Sequence, residues 1–302
     1  MPRNFHYCSV ASAFILGVLA LVALSVNYFI YKFPGNNYFP PDTLLIAILL
    51  FLGFLGSYLQ FGRNSIAVKM TRELIYYFLV MSTIAFATNA VQYTPFAPID
   101  DTLIEMEARL NINIISIVAW AQHYPWLIQM LVYIYDSLPY QMSILPLVAI
   151  GMRQFPYLRE YYCLLLISAV LGFTIYYFYP TLAPATALNS DFFSQAQYAT
   201  GIKFREIHQH IPPSTIEGGM IAFPSFHAIW AWLCLYLIRW SRFIFLLLLP
   251  INILLIASCV LLGWHYPIDL LASVIILVIT HYLCLYCAKK SANFFRNTAG
   301  RL

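Results

Sequence analysis

The sequence predicts an all-α, polytopic membrane protein with about eight transmembrane helices, and three observations carry that prediction. Of 302 residues, 62% are hydrophobic and only 9% are charged, where a soluble domain carries about 25% charged residues. The mean hydropathy is +0.75. The apolar residues also fall into runs of roughly 20, the length a helix needs to cross the hydrocarbon layer. No long polar or Gly/Ser-rich linker and no fixed-period repeat divides them, which predicts one membrane domain.

Taken in order, the predicted spans are 8–31, 43–61, 73–92, 126–151, 161–179, 224–239, 243–263 and 266–287. Arg3 precedes the first run as it would in a signal peptide. The run is long and ends without a small-residue cleavage site, so it reads as a membrane helix. Between 93 and 125, Asp100, Asp101, Glu105, Glu107 and Arg109 precede an apolar stretch too short to span, which predicts an interfacial or re-entrant segment. A second long loop, 180–223, holds Lys203, Arg205, Glu206, His208, His210 and Glu217. The expected organisation is three N-terminal helices over 1–92, a catalytic membrane unit over 93–290 and a basic tail over 291–302.

Eight spans put both termini on one face, and twelve of the sixteen Lys and Arg residues then share that face. Lys32, Arg109, Lys203 and Arg205 lie on the other. Basic residues in short loops stay cytoplasmic, so the N- and C-termini are expected in the cytoplasm, of a cell or inner membrane. The six cysteines lie in or beside apolar runs and avoid the polar loops, which argues for buried thiols and against a disulfide framework. The C-x-x-C of Cys284 and Cys287 falls late in an apolar helix and reads the same way.

Within this apolar chain, residues 263–271 place His265 and Asp269 four positions apart. Ionisable groups in a membrane segment need a reason to exist. A helix starting near Pro267 puts His265 at its mouth and Asp269 in its first turn. One ring nitrogen then faces a substrate while the carboxylate holds the other. A second stretch, Ala222-Phe223-Pro224-Ser225-Phe226-His227-Ala228, opens another span with proline at a tolerated position. Ser225 and the N–H groups of that first turn offer a place for an anion. The topology sets His227 and His265 on the same extracytoplasmic (periplasmic or lumenal) face. Two histidines, one backed by an aspartate, suit displacement at phosphorus.

The stretches FPSFHA at 223–228 and SCVLLGWHYPIDLLAS at 258–273 resemble the type-2 phosphatidic acid phosphatase (PAP2) superfamily. Within it the match looks closest to the branch of inositol phosphorylceramide synthases, where Pro-Ser-x-His likewise carries a bulky third residue. The two spans between the motifs, the segment Tyr179-Pro180-Thr181-Leu182-Ala183-Pro184 and, more loosely, the segments from Asp100 and Tyr135 fit that branch. The resemblance covers roughly residues 100–275. It implies a PAP2-like helical core in which His265 forms a phosphohistidine, Asp269 orients it and His227 protonates the leaving group, with no metal or other cofactor. The implied partners are the bilayer, a phosphorylated membrane lipid and, if water is not the acceptor, a hydroxyl compound; no nucleic acid is implied. Two motifs depart from the superfamily's commonest form. No Arg-Pro dipeptide occurs, and Ser258-Cys259 stands where Ser-Arg is usual. Lys203 and Arg205 are the alternative phosphate-binding candidates.

The expected activity is that of a membrane lipid phosphatase or phosphotransferase. A headgroup transferase like the inositol phosphorylceramide synthases is one alternative, and a non-catalytic homologue or lipid transporter is another. Several residues also admit plainer roles. The two histidines can be interfacial groups satisfied by water, and Asp269 a helix N-terminal charge. His208 and His210 could join His227 and His265 at a zinc ion, although no short ligand spacing supports this. Asp136 is either an intramembrane functional acid or, if Pro139 breaks its helix, a group near water. Lys203 and Arg205 can be solvated loop charges.

Overall fold

The computed structural model describes residues 5–33, 39–188, 190–215 and 218–299, the last nine by backbone alone. Among them the chain forms α1 (His6–Phe29), α2 (Thr43–Phe61), α3 (Ile66–Val91), α4 (Asp100–Arg109), α5 (Ile114–Gln122), α6 (Pro125–Tyr135) and α7 (Leu138–Gly151). There follow α8 (Phe155–Phe178), α9 (Pro184–Ala187), α10 (Gln195–His208), α11 (Phe226–Leu237), α12 (Arg242–Leu261) and α13 (Pro267–Ala299). Glu217 of the second loop, and Arg3 and Arg301 of the charge argument, lie outside the described residues, as does the side chain of Arg296.

Among the described residues six helices are long and apolar enough to cross a membrane: α1, α2, α3, α8, α12 and the first 24 residues of α13, Pro267–Lys290. The chain is therefore an all-α membrane protein. Two of the eight expected spans take another form. The run 126–151 divides into α6 and α7, because Pro139 in the first turn of α7 has no N–H to continue the preceding helix. Ser137 turns its hydroxyl onto the Ile134 carbonyl at the break. The run 224–239 gives only the 12-residue α11, capped by the Ser225 hydroxyl and closed by a 3-10 turn at Ile238–Trp240. The segment 93–125 forms two short helices, α4 and α5, neither long enough to span.

The helix α8 is the central post. Of its apolar window 67% is buried, whereas α2 buries no residue. Helices α1 and α3 pack on one side of α8, α11 and α13 on another, and α12 lies against α11, α6 and α5. Hydrogen bonds between polar side chains join several helices inside this bundle, where no water competes. Asn252 Nδ2 donates to Gln141 Oε1 at 2.9 Å, joining α12 to α7. Arg159 donates to Glu73 Oε1 from Nε at 3.0 Å and Nη2 at 2.6 Å, and Arg239 pairs with Glu160.

Close approach at one glycine sets the position of α11. A Cβ on Gly172 of α8 would lie 2.5 Å from Phe226 Cζ, and Phe226 is buried beside Phe173. The substitution Gly172→Ala is expected to cost about 1–3 kcal/mol, the usual penalty of overpacking. Thermal unfolding in detergent should show a lower Tm. An unchanged Tm would mean that the Phe226 ring shifts without resistance.

Candidate active site

The α12–α13 connection is shaped by Gly263, which has φ 83° and whose added Cβ would lie 2.7 Å from Phe193. The left-handed turn needs a residue without a Cβ at this point. It brings the His265 N–H back to the Cys259 carbonyl at 2.9 Å. Helix α13 then starts at Pro267, with Asp269 in its first turn. Asp269 Oδ2 accepts the Tyr266 N–H at 3.0 Å and lies 3.3 Å from His265 Nδ1. The same Nδ1 lies 2.8 Å from the Ala222 carbonyl oxygen. A carbonyl only accepts, so Nδ1 carries the proton and the lone pair stays on Nε2. Both side chains are buried, His265 at 4% and Asp269 at 1% exposure.

His227 stands in the first turn of α11, its ring centroid 6.1 Å from that of His265. Tyr135, the last residue of α6, stacks on His227 at 4.1 Å and lies parallel to Trp264 at 5.7 Å. Its hydroxyl is 3.2 Å from His227 Nδ1. The phenol can donate to Nδ1 of the neutral ring or accept the Nδ1–H of the imidazolium, so this contact serves His227 in both protonation states. Ser225 is fully buried; its hydroxyl accepts the Ala228 N–H at 3.3 Å and points to Cys259 Sγ at 3.7 Å. Ser273 donates to the Ser225 and Asp269 carbonyls, tying α13 to the start of α11.

Behind the histidines, α4 supplies two carboxylates. Asp100 Oδ1 accepts the Tyr266 hydroxyl at 3.0 Å and Oδ2 the Leu182 N–H at 2.8 Å. Glu107 Oε1 accepts the Ile268 N–H at 3.0 Å, capping the positive end of α13. Burial raises the Asp100 carboxyl from 3.8 to about 6, with the Leu182 and Tyr266 hydrogen bonds pulling the other way. Burial likewise raises Glu107 from 4.5 to about 7.

A family model described as the PAP2 superfamily matches residues 101–283. The chain belongs to the PAP2 superfamily. No curated protein and no solved structure matches it. PAP2 membership implies phosphatase- or phosphotransferase-type activity on a phosphorylated substrate, and the matched segment contains His227, His265 and Asp269.

The PAP2 segment thus gathers His227, His265, Asp269 and Ser225 at one end of α11 and α13. Lys203 and Arg205 are held differently. Lys203 is fully buried and donates to the Gly218 carbonyl at 3.2 Å, on the chain that leads into Ala222. Arg205 Nη2 donates to the Thr186 carbonyl of α9 at 2.7 Å. Asp136 is exposed at the α6–α7 break. His210 stacks on Tyr31 at 4.2 Å, against the end of α1. Among the described residues no three His, Cys, Asp or Glu side chains converge as a metal ligand set. Tyr135, Asp100 and Glu107 escape assignment to the site because they reach it across 92 to 166 residues of sequence, and Tyr266 because its partner is Asp100. The available signal was acidic residues flanking a short apolar stretch in a chain with only twelve acids.

The two raised carboxyls give a pH dependence. A carboxyl that binds its proton more tightly folded than unfolded adds stability that is complete below the unfolded pKa. That stability is lost as pH rises through the folded value. The protein in detergent should lose thermal stability between about pH 4 and pH 7, from the ordinary values of 3.8 and 4.5 to the folded values of about 6 and 7. Glu107→Gln keeps the acceptor for Ile268 and should flatten the upper part of that slope. An identical slope in wild type and variant would remove Glu107 as its source.

Proposed function

We propose that this PAP2 chain is a membrane lipid phosphatase/phosphotransferase working through a phosphohistidine on His265. The observation that carries the reading is the pair of rings 6.1 Å apart, each with its Nδ1 already engaged by a neighbour. The Nε2 lone pair of His265 attacks phosphorus, and the P–O bond to the leaving alcohol breaks. His227, entering as imidazolium with its Nδ1–H on the Tyr135 hydroxyl oxygen, gives its Nε2 proton to that oxygen and becomes neutral. Asp269 and the Ala222 carbonyl stabilise the charge that develops on the His265 ring. In the second half, neutral His227 takes a proton from the acceptor as its oxygen attacks phosphorus and the P–N bond breaks. Every proton has a donor or acceptor in this scheme without a metal or other cofactor.

Phosphate oxygens meet the first-turn N–H groups of α11, whose geometry Ser225 fixes as cap. Lys203 and Arg205 supply positive charge from α10. Residues 93–290 form the catalytic unit, and the charge asymmetry supports cytoplasmic termini with an extracytoplasmic site in a cell or inner membrane. The acceptor is water in the phosphatase reading. A specific observation favours the alternative, a headgroup transferase of the inositol phosphorylceramide synthase kind. Cys259, standing where arginine is usual, is wholly buried against Ser225. A site short of cations suits a singly charged phosphodiester better than a doubly charged monoester.

Purified protein with EDTA present should release phosphate from a lipid phosphate, or transfer a labelled headgroup to an added alcohol. His227→Ala should lower turnover about 10²–10⁴-fold, the usual contribution of a general acid. His265→Ala should abolish both turnover and acid-labile phosphate labelling. Full turnover in His265→Ala would falsify the mechanism, and unchanged cellular lipids with that variant would favour a non-catalytic protein. Sidedness has its own check: Ser190→Cys should react with an impermeant thiol reagent from the extracytoplasmic side. Labelling only from the cytoplasm overturns the orientation.

A further inference from the structure

A cavity of 410 Å³ lies between α1, α3 and α8, in the size range of about 300–1,000 Å³ typical of small-molecule sites. It is remote from the histidines. Along α8, Arg159 at the cavity and Gly172 beneath Phe226 are separated by about 20 Å at 1.5 Å per residue.

The lining changes character in the same direction on all three helices. Toward their N-terminal ends they contribute His6, Ser9, Arg72, Tyr76 and Arg159. One to two turns further along they contribute Ala13, Leu79, Val80 and Leu166, and beyond these Thr83, whose hydroxyl donates to the Leu79 carbonyl of its own helix at 2.8 Å. Val10 and Leu79 are 55% and 52% exposed, so the apolar part opens sideways on the surface that faces lipid.

The polar end is built for an anion. Arg72 Nε is buried without a hydrogen-bond partner. Arg159 is paired with Glu73 yet 43% exposed, leaving part of its guanidinium open. Two guanidinium groups against one carboxylate leave a net positive charge. Guanidinium matches phosphate oxygens in geometry as well as charge.

We infer that this cavity is a second lipid site, which holds the phosphate headgroup of an anionic phospholipid at Arg72 and Arg159 with an acyl chain along Leu79 and Leu166. The gradient from basic to apolar matches such a molecule, and a free phosphate has no use for the apolar half. The site lies at the end of the bundle opposite His227 and His265. Two of its three walls come from residues before 93, so the bound lipid joins the N-terminal helices to the PAP2 part of the chain.

The test uses the full chain, delipidated in neutral detergent, with His227→Ala/His265→Ala to remove catalytic binding. Thermal unfolding is followed with phosphatidylglycerol, phosphatidylcholine or inorganic phosphate. Phosphatidylglycerol at about 100 times its Kd should raise Tm by roughly 5–10 °C, while phosphatidylcholine and inorganic phosphate should not. Adding Arg72→Gln, which removes the charge, or Ala13→Phe, which fills the apolar end, should each abolish the shift. Native mass spectrometry should find one lipid fewer per chain in either. An equal shift from phosphatidylcholine, or from inorganic phosphate, overturns the inference. So does a full shift retained in both variants. If neither variant folds, the three-ligand comparison alone decides.

Discussion

Helix α13 begins where a buried imidazole must be oriented without water, and the hydrogen bonds to His265 Nδ1 do this. The Ala222 carbonyl and Asp269 approach that nitrogen from two different chain segments. Ala222 lies on the entry to α11, so the bond that fixes the tautomer also fixes α11 against α13. Ser273 repeats the connection through the Ser225 carbonyl. In a low-dielectric bundle an unsatisfied imidazole or carboxylate is costly. The geometry of the histidine pair and the packing of the two helices are therefore one constraint.

That constraint extends outward through backbone amides. Tyr266 and Ile268 flank Pro267, which has no N–H of its own, and their amides go to Asp269 and Glu107. Asp100 then takes the Tyr266 hydroxyl and the Leu182 amide, binding α4 to the segment after α8. The acids of α4 are structural before they are anything else. They satisfy the exposed donors of the α13 mouth and hold negative charge where the helix dipole favours it.

The parts legible in the sequence were those set by local rules. Apolar runs announced α1, α2, α8, α12 and α13. Pro267 announced the start of α13, and the His265–Asp269 spacing placed both at its mouth. The start of α3 was read late, at 73 rather than Ile66, because Lys69, Arg72 and Glu73 look foreign to a membrane helix until Arg159 appears beside Glu73. The break between α6 and α7 was weighed at Pro139 but not adopted as a boundary. Its outcome matters, because ending α6 at Tyr135 is what lets that ring stack on His227. No periodicity encodes a contact across 92 residues.

The ionisable groups of the two ends of the bundle are arranged on different terms. Around the histidines the acids accept from neutral donors: amides, a phenol and an imidazole. At the other end Glu73 and Glu160 accept from Arg159 and Arg239, full charges near helix ends. Neutral donors cannot discharge a carboxylate, so burial there raises Asp100 and Glu107 toward neutrality. A site of this kind carries little fixed positive charge, and it receives an anion through helix and amide dipoles. The arginine-rich end can hold one by direct pairing. Helix α8 runs through both, with Arg159 and Glu160 at its start and Gly172 under Phe226 near its finish. It is the common wall that keeps two chemically different environments in one bundle.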